Sequence, residues 1–193
     1  MTVPSGAGGP VGTVRLERLT GAQARQRLDE VMTVYRRAFL ELYEANPERA
    51  TAERRAHVAN HLTRGDVDVV AALDEADRMV GITYGVPGRR GVWWHDVVGA
   101  ALSPVDAVAW LSDVLEVVEL HVLPEAQGRG LGRGLLRALL ARTTAATAAL
   151  SALDDPGLPA RHLYAAEGFI PLLEGFCFPG GSTRYAVLGK RLR

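Results

Sequence analysis

The chain has 193 residues, enough for one domain with a sizeable core, and at 48% hydrophobic and 23% charged its composition is that of an ordinary soluble globular protein. Its 22 Lys and Arg residues balance 22 Asp and Glu, so no overall basic field favours nucleic acid or an anionic membrane. One cysteine excludes an intrachain disulfide, and no apolar run reaches the roughly 18 residues of a membrane span.

The nearest approach to such a span, Leu131 to Leu150, is broken by three arginines. Met1 to Gly12 is rich in Gly and Pro and has no apolar centre, so it reads as a disordered tail and not as a signal peptide. Residues 13–193 are expected to form a single domain in the cytoplasm. Cys177, between Phe176 and Phe178, reads as a buried small hydrophobe and not as a nucleophile.

Thr13 to Leu19 alternates apolar and charged residues, the pattern of a strand. Thr20 can cap the helix that follows, where Leu28, Val31, Met32, Tyr35, Phe39 and Leu42 recur at helical spacing until Asn46-Pro47. Thr51 to Arg64 predicts a second helix, ended by Gly65. His57 and His61 stand four apart on it, but no Glu follows His57 and no third ligand is evident, so no metal is expected. Val67 to Leu73 and Met79 to Val86 predict an antiparallel hairpin around an acidic turn.

Arg89 to Ser112 is neither clean strand nor clean helix at its start. Its end, Pro104 to Leu111, predicts a short helix capped by Ser103. Within it Trp93, Trp94 and His95 either cover one edge of the core or wall an acceptor site. Val114 to Val122 is the central strand. A helix over Leu131 to Thr147 and a strand over Ala148 to Leu153 imply a parallel pair with a right-handed crossover. A short helix from Leu158 to Glu167, closed by Gly168, precedes a hairpin of Phe169 to Phe178 and Tyr185 to Leu192.

The stretch that organises the rest runs from Glu116 into the loop Gly128-Arg129-Gly130-Leu131-Gly132. A strand that turns through glycines into a helix start makes an anion site, because the first N–H groups of a helix lack intrahelical partners and carry partial positive charge. Arg129 and Arg133 add full charges, and no acid stands between Gly128 and Arg142. The dinucleotide spacing G-x-G-x-x-G fails from each glycine, and no G-K-[ST] follows as a Walker loop requires.

The phrase Gln127-x-x-Gly130-x-Gly132, after a strand and before a helix, resembles the acetyl-CoA motif of the GNAT superfamily of N-acetyltransferases. A second motif of that family, A-x-x-L-Y-x-x-x-G-F, stands complete from Ala160 to Phe169. The resemblance implies an α+β fold: a central mixed, mostly antiparallel twisted sheet, splayed between its fourth and fifth strands and flanked by helices. It also implies transfer of an acetyl group from acetyl-CoA, as co-substrate and without a metal, to a primary amine by direct attack in a ternary complex. The acceptor would be a small molecule or a peptide; nucleic acid and membrane are not expected as partners, and a homodimer is compatible with the family. The alternative is an inactive domain that binds acyl-CoA as a sensor or scaffold.

Residue by residue, the resemblance implies that Leu120, His121 and Val122 offer backbone groups to pantetheine. Gln127, Gly128, Arg129, Gly130, Leu131, Gly132 and Arg133 would hold the pyrophosphate. A backbone N–H near Val122 would stabilise charge on the thioester oxygen, and Tyr164 would protonate the departing thiolate. For the base, Glu119 is preferred as nearer the thioester, while Glu116 sits where some family members carry theirs. Three apart on a strand, the two face opposite ways unless a bulge intervenes. Gly157 departs from the family's usual Asn; Asp154 or Asp155 is expected to replace it, as a helix cap in preference to a substrate contact.

Overall fold

A computed structural model describes residues 12–40 and 47–193. The strands are β1 (Arg15–Leu19), β2 (Asp68–Leu73), β3 (Met79–Pro87), β4 (Val114–Val122), β5 (Thr147–Leu153), β6 (Ile170–Cys177) and β7 (Arg184–Arg191). The helices are α1 (Gly21–Gln26), α2 (Leu28–Tyr35), α3 (Pro47–His61), α4 (Trp93–Ala101), α5 (Pro104–Leu111), α6 (Leu131–Leu140) and α7 (Pro159–Ala166). All seven strands form one sheet in the order β1-β2-β3-β4-β5-β7-β6. Every pairing is antiparallel except β4 with β5, the parallel pair that the strand–helix–strand pattern predicts.

Local chemistry explains most boundaries. Thr20 Oγ1 accepts from Gln23 N at 3.1 Å while Gln23 Oε1 accepts from Thr20 N at 2.8 Å, a reciprocal cap that starts α1. The first predicted helix is divided: it breaks at Arg27, resumes as α2, and widens into a π-helical turn over Arg36–Leu40. Leu42, Asn46 and the tail before Gly12 lie outside the described residues. Ser103 Oγ accepts from Asp106 N at 3.1 Å and Pro104 opens α5, as expected.

Four expectations are corrected. Arg89 to Ser112 holds two helices, since Trp93–Ala101 is also helical. α6 stops at Leu140, short of Thr147, because β-branched Thr143 and Thr144 disfavour helix and Thr143 Oγ1 accepts from Ala145 N at 3.2 Å in a competing turn. Cys177 is exposed at the end of β6 and not buried. Neither Asp154 nor Asp155 caps α7: Asp154 binds Arg161 Nη1 at 3.1 Å and Gly175 N at 2.6 Å, while Asp155 closes its own turn onto Gly157 N.

The sheet is covered on both faces. Along β3, Gly81 approaches Leu135 of α6, so residues of that parity face α6. Ile82 and Tyr84 face the other way, toward α2 and α3. The main core lies around β2, β3 and β4, with Val31, Met32, Val34, Leu135, Leu136 and Leu139 buried against them. A second core joins Trp94, Val98, Trp110 and Leu111 of α4 and α5 to Val114, Ala149 and Val187 of the sheet. Among the described residues no helix is long and apolar enough to cross a membrane.

Candidate active site between the splayed strands

The site begins with a register change. On β4, Val117 pairs with Gly85 and Glu119 with Tyr84, so Val118 is an extra residue without a counterpart on β3. This bulge cancels the alternation that would put Glu116 and Glu119 on opposite faces. Both now lie on the face of Tyr84 and Ile82, under α2 and α3, and His121 follows on the same face. Leu120 and Val122 turn to the α6 face, where Val122 lies beside Gly132.

β4 and β5 pair only at Val114↔Thr147, Leu115↔Ala148 and Glu116↔Ala149. Beyond these rows β4 runs on to Val122 beside β3, and β5 to Leu153 beside β7, but not beside each other. A gap therefore opens in the middle of the sheet, with Glu116 at its root. At the far end of the gap the chain turns through Pro124–Ala126 into the glycine loop. Gly128 (φ 73°) and Gly130 (φ 78°) are left-handed, and no atom lies within 4 Å of where their Cβ would be. Glycine stands there for backbone conformation, not for lack of space. Gly130 is the N-cap of α6, and among the described residues no side-chain cap bonds the helix start, which leaves its N–H groups for a ligand. Gln127 Nε2 donates to Val122 O at 2.8 Å and ties the loop to the strand end.

The two glutamates have opposite electrostatics. Burial pushes the Glu116 carboxyl up to about 7, against the lowering pull of Arg54 and Arg64. Burial would also raise Glu119, but the Arg54 charge and the His121 hydrogen bond outweigh it and bring it to about 2. Arg54 of α3 contacts Glu119 Oε1 through Nε at 2.9 Å and Nη2 at 2.8 Å, and His121 Nε2 lies 2.6 Å from Glu119 Oε2. An ionised carboxylate only accepts, so Nε2 is the protonated nitrogen of His121. Tyr35 and Phe39 pack on the His121 ring at centroid distances of 5.0 and 5.8 Å. Tyr84, fully buried, places its hydroxyl 3.2 Å from His61 Nδ1. Burial, with the Glu119 charge second, pushes the Tyr164 phenol well up, so it keeps its proton at neutral pH.

A family model described as an acetyltransferase (GNAT) domain matches residues 70–171, which spans the gap, the loop and α7. The chain belongs to the GNAT acetyltransferase family. A GCN5-like protein acetyltransferase of Mycobacterium tuberculosis is 35% identical over 121 residues, covering 59% of this chain and 59% of that protein. A GNAT-family acetyltransferase structure from Desulfovibrio desulfuricans aligns with a TM-score of 0.65 at 18% identity, over 94% of this chain and all of that one. A PaiA N-acetyltransferase from Thermoplasma acidophilum, in complex with coenzyme A, aligns at 0.63 and 13% identity, over 93% and 99% of the two chains. The open mixed sheet with flanking helices is thus the fold of the GNAT acetyltransferase family, and the chain spans about three fifths of the length of the curated relative it matches.

Within the GNAT frame the other predicted site residues fall in distinct places. Leu131 is the first residue of α6 and packs against the main core. Arg129 Nη2 donates to Gly12 O at 3.1 Å. Arg133 Nε lies 3.0 Å from Glu167 Oε1, and Arg137 Nε lies 2.9 Å from Glu167 Oε2, so one buried carboxylate gathers two arginines of α6. Trp94 is buried and its Nε1 donates to Ser151 Oγ at 2.9 Å; His95 is buried with Nε2 3.1 Å from Leu111 O. Trp93 is 59% exposed and stacks on Phe178 at 5.1 Å. Arg54 and Tyr84 carry no site signal in the sequence, and His61 stands out there only beside His57 as a metal-ligand spacing. Arg54 meets Glu119 across 65 positions, and nothing local in either segment signals a contact of that range.

Proposed function

We propose that this GNAT protein is an N-acetyltransferase that transfers the acetyl group of acetyl-CoA to a primary amine by direct attack in a ternary complex. The observation that carries the reading is the gap: β4 and β5 part directly after Glu116, and an uncapped helix start with two left-handed glycines lies at the other end. Those features fit a long anionic thioester. The loop from Gln127 to Arg133 and the N-terminus of α6 would hold the pyrophosphate, and the free edge of Leu120, His121 and Val122 would pair with the pantetheine arm.

In this reading Glu116, not Glu119, is the base. A carboxylate near 7 matches proton abstraction at neutral pH, whereas Glu119 is locked by Arg54 and His121. Glu116 takes a proton from the ammonium group, the amine nitrogen bonds to the acetyl carbon, and the carbon–sulfur bond breaks. Tyr164 gives its proton to the departing thiolate and is reprotonated by the second proton that leaves the nitrogen as the amide forms, and backbone N–H groups of β4 near Val122 stabilise charge on the carbonyl oxygen. Glu119 would be a fixed negative charge in the acceptor pocket. The mycobacterial relative is a protein acetyltransferase, which makes a polypeptide amine the first acceptor to try.

Release of free thiol from acetyl-CoA, measured across a panel of small amines and lysine peptides, tests the reading. Turnover with at least one amine is expected. Binding of acetyl-CoA without thiol release for any amine would point to a sensor instead. Tyr164→Phe is expected to lower kcat by about 10²-fold if the phenol is the acid; unchanged turnover would remove it from that role.

A further inference from the structure

Beside the base lies a charged trough that the proposed chemistry does not use. It runs from the turn after α3 to the start of α4 in two open halves that meet at Arg64 and Gly65. One half, of about 740 Å³, is lined by Thr20, Arg25, Leu62 and Arg64. The other, of about 690 Å³, is lined by Arg64, Asp66, Arg89, Arg90 and Val92. Four arginines thus face one carboxylate in the lining. Asp66 is already committed, with Arg64 Nε at 2.9 Å and Arg89 Nη2 at 2.8 Å. Asp96, just beyond, is turned to the N–H of Gly91 at 2.9 Å. Arg25 and Arg90 are exposed and carry no ion pair among the described residues.

Arg64 ties the trough to the strand that carries Glu116 through one intervening strand. Arg64 Nη2 donates to Pro87 O at 3.2 Å, and Pro87 pairs with Leu115, the neighbour of Glu116. Arg64 is also one of the two cations that draw Glu116 down. The shape selects among anions. Small-molecule sites enclose most of their ligand, which an open trough cannot do; an extended chain needs no enclosure. Single-stranded nucleic acid would call for aromatic platforms, and no aromatic side chain lines the trough.

We propose that this trough binds an acidic segment of a polypeptide acceptor, its carboxylates on Arg25, Arg89 and Arg90 and its amine directed to Glu116; this rests on the acetyl-transfer reading above. Flanking acid would then act as a selectivity determinant, through rim contacts that are individually weak and screened by salt.

The test uses three fluorescent peptides with one central lysine, flanked by glutamates, by glutamines or by arginines. Their binding is followed by anisotropy and their acetylation by thiol release, for the wild type and for the Arg89→Glu/Arg90→Glu double variant, with thermal unfolding as a check on folding. The acidic peptide is expected to bind about fivefold tighter than the glutamine peptide at low salt, as summed exposed ion pairs allow. That preference should vanish in the double variant and at high salt. Equal affinity for the acidic and glutamine peptides, a preference that survives charge reversal in a folded variant, or displacement of the acidic peptide by a short oligonucleotide at lower concentration would overturn the proposal. Charge-selective binding with no acetylation of any peptide would overturn the delivery of the peptide amine to Glu116 if a small amine is turned over, and would uphold the trough and sink the acetyl-transfer reading if no amine is.

Discussion

Glu116 and Glu119 share residue type, strand and face, yet their surroundings assign them different work. Glu116 is buried with no cation in contact among the described residues, so its ionised form is disfavoured; Glu119 is buried against a guanidinium and an imidazole, so its ionised form is secured. As the proposed base Glu116 would act when deprotonated, so kcat/KM should rise with pH through about 7 in the wild type. Glu116→Gln should lose that limb of the profile together with roughly 10²-fold or more in rate. The stability effect has the opposite sign. A carboxyl raised from 4.5 to about 7 contributes stability at low pH that is lost as pH climbs through about 7. The glutamine variant should therefore unfold at a higher temperature than the wild type at pH 8 and gain little at pH 5. For Glu119, lowered to about 2, the stability is present above 4.5 and is lost as pH falls toward 2. Arg54→Ala leaves that carboxylate without its guanidinium and should cost about 2 kcal/mol in denaturant unfolding at pH 7, less than a fully enclosed pair because Arg54 is a third exposed. An unchanged midpoint would show that the pair contributes nothing.

At the scale of elements, the decisive features are a bulge of one residue and a loop with two left-handed glycines. Gly130→Ala places a Cβ in open space, so its cost is conformational, about 1 kcal/mol for a left-handed residue. The larger consequence is expected in affinity: relaxing that strain would re-aim the first N–H groups of α6. Calorimetry should find acetyl-CoA bound about tenfold more weakly, while the variant keeps most of its stability. The loop was legible in the sequence because its chemistry is local: glycine spacing, a preceding strand and a following leucine stripe all fall within Val114 to Leu140. The bulge was legible only as a condition, since nothing in VLEVVELHV marks Val118 as the unpaired residue. The double helix over Trp93 to Leu111 shows a similar limit. Trp93-Trp94-His95 begins without a side-chain cap, so its start signal is absent, and packing of Trp94 and Val98 on the sheet selects the helix instead.

For the whole molecule, the gap in the sheet is the organising feature. β7 lies between β5 and β6, so β5 is fully paired on one side and free on the other beyond Ala149. A ligand seated there would bridge the two halves of the sheet and bind only the folded state. Acetyl-CoA at a hundredfold excess over its dissociation constant should therefore add about 2.7 kcal/mol to stability, read as a rise in melting temperature. Free CoA should stabilise and an amine alone should not, if the cofactor gap forms without the acceptor. The two helical layers on the Glu116 face, α2 with α3 and α4 with α5, meet the sheet on either side of that gap. Residues that complete the pocket consequently come from segments far apart in the chain.

The family resemblance, the strand that carries both glutamates, the loop and a tyrosine at a family motif position are all legible before folding. Each of these is written in residues within a few positions of one another, where spacing and propensity act directly. How tightly each glutamate holds its proton was decided by tertiary structure alone, because a carboxyl's proton affinity depends on burial and on charges such as Arg54 that only folding brings near. The same holds for the gap itself, a product of where hydrogen-bonded pairing between β4 and β5 stops.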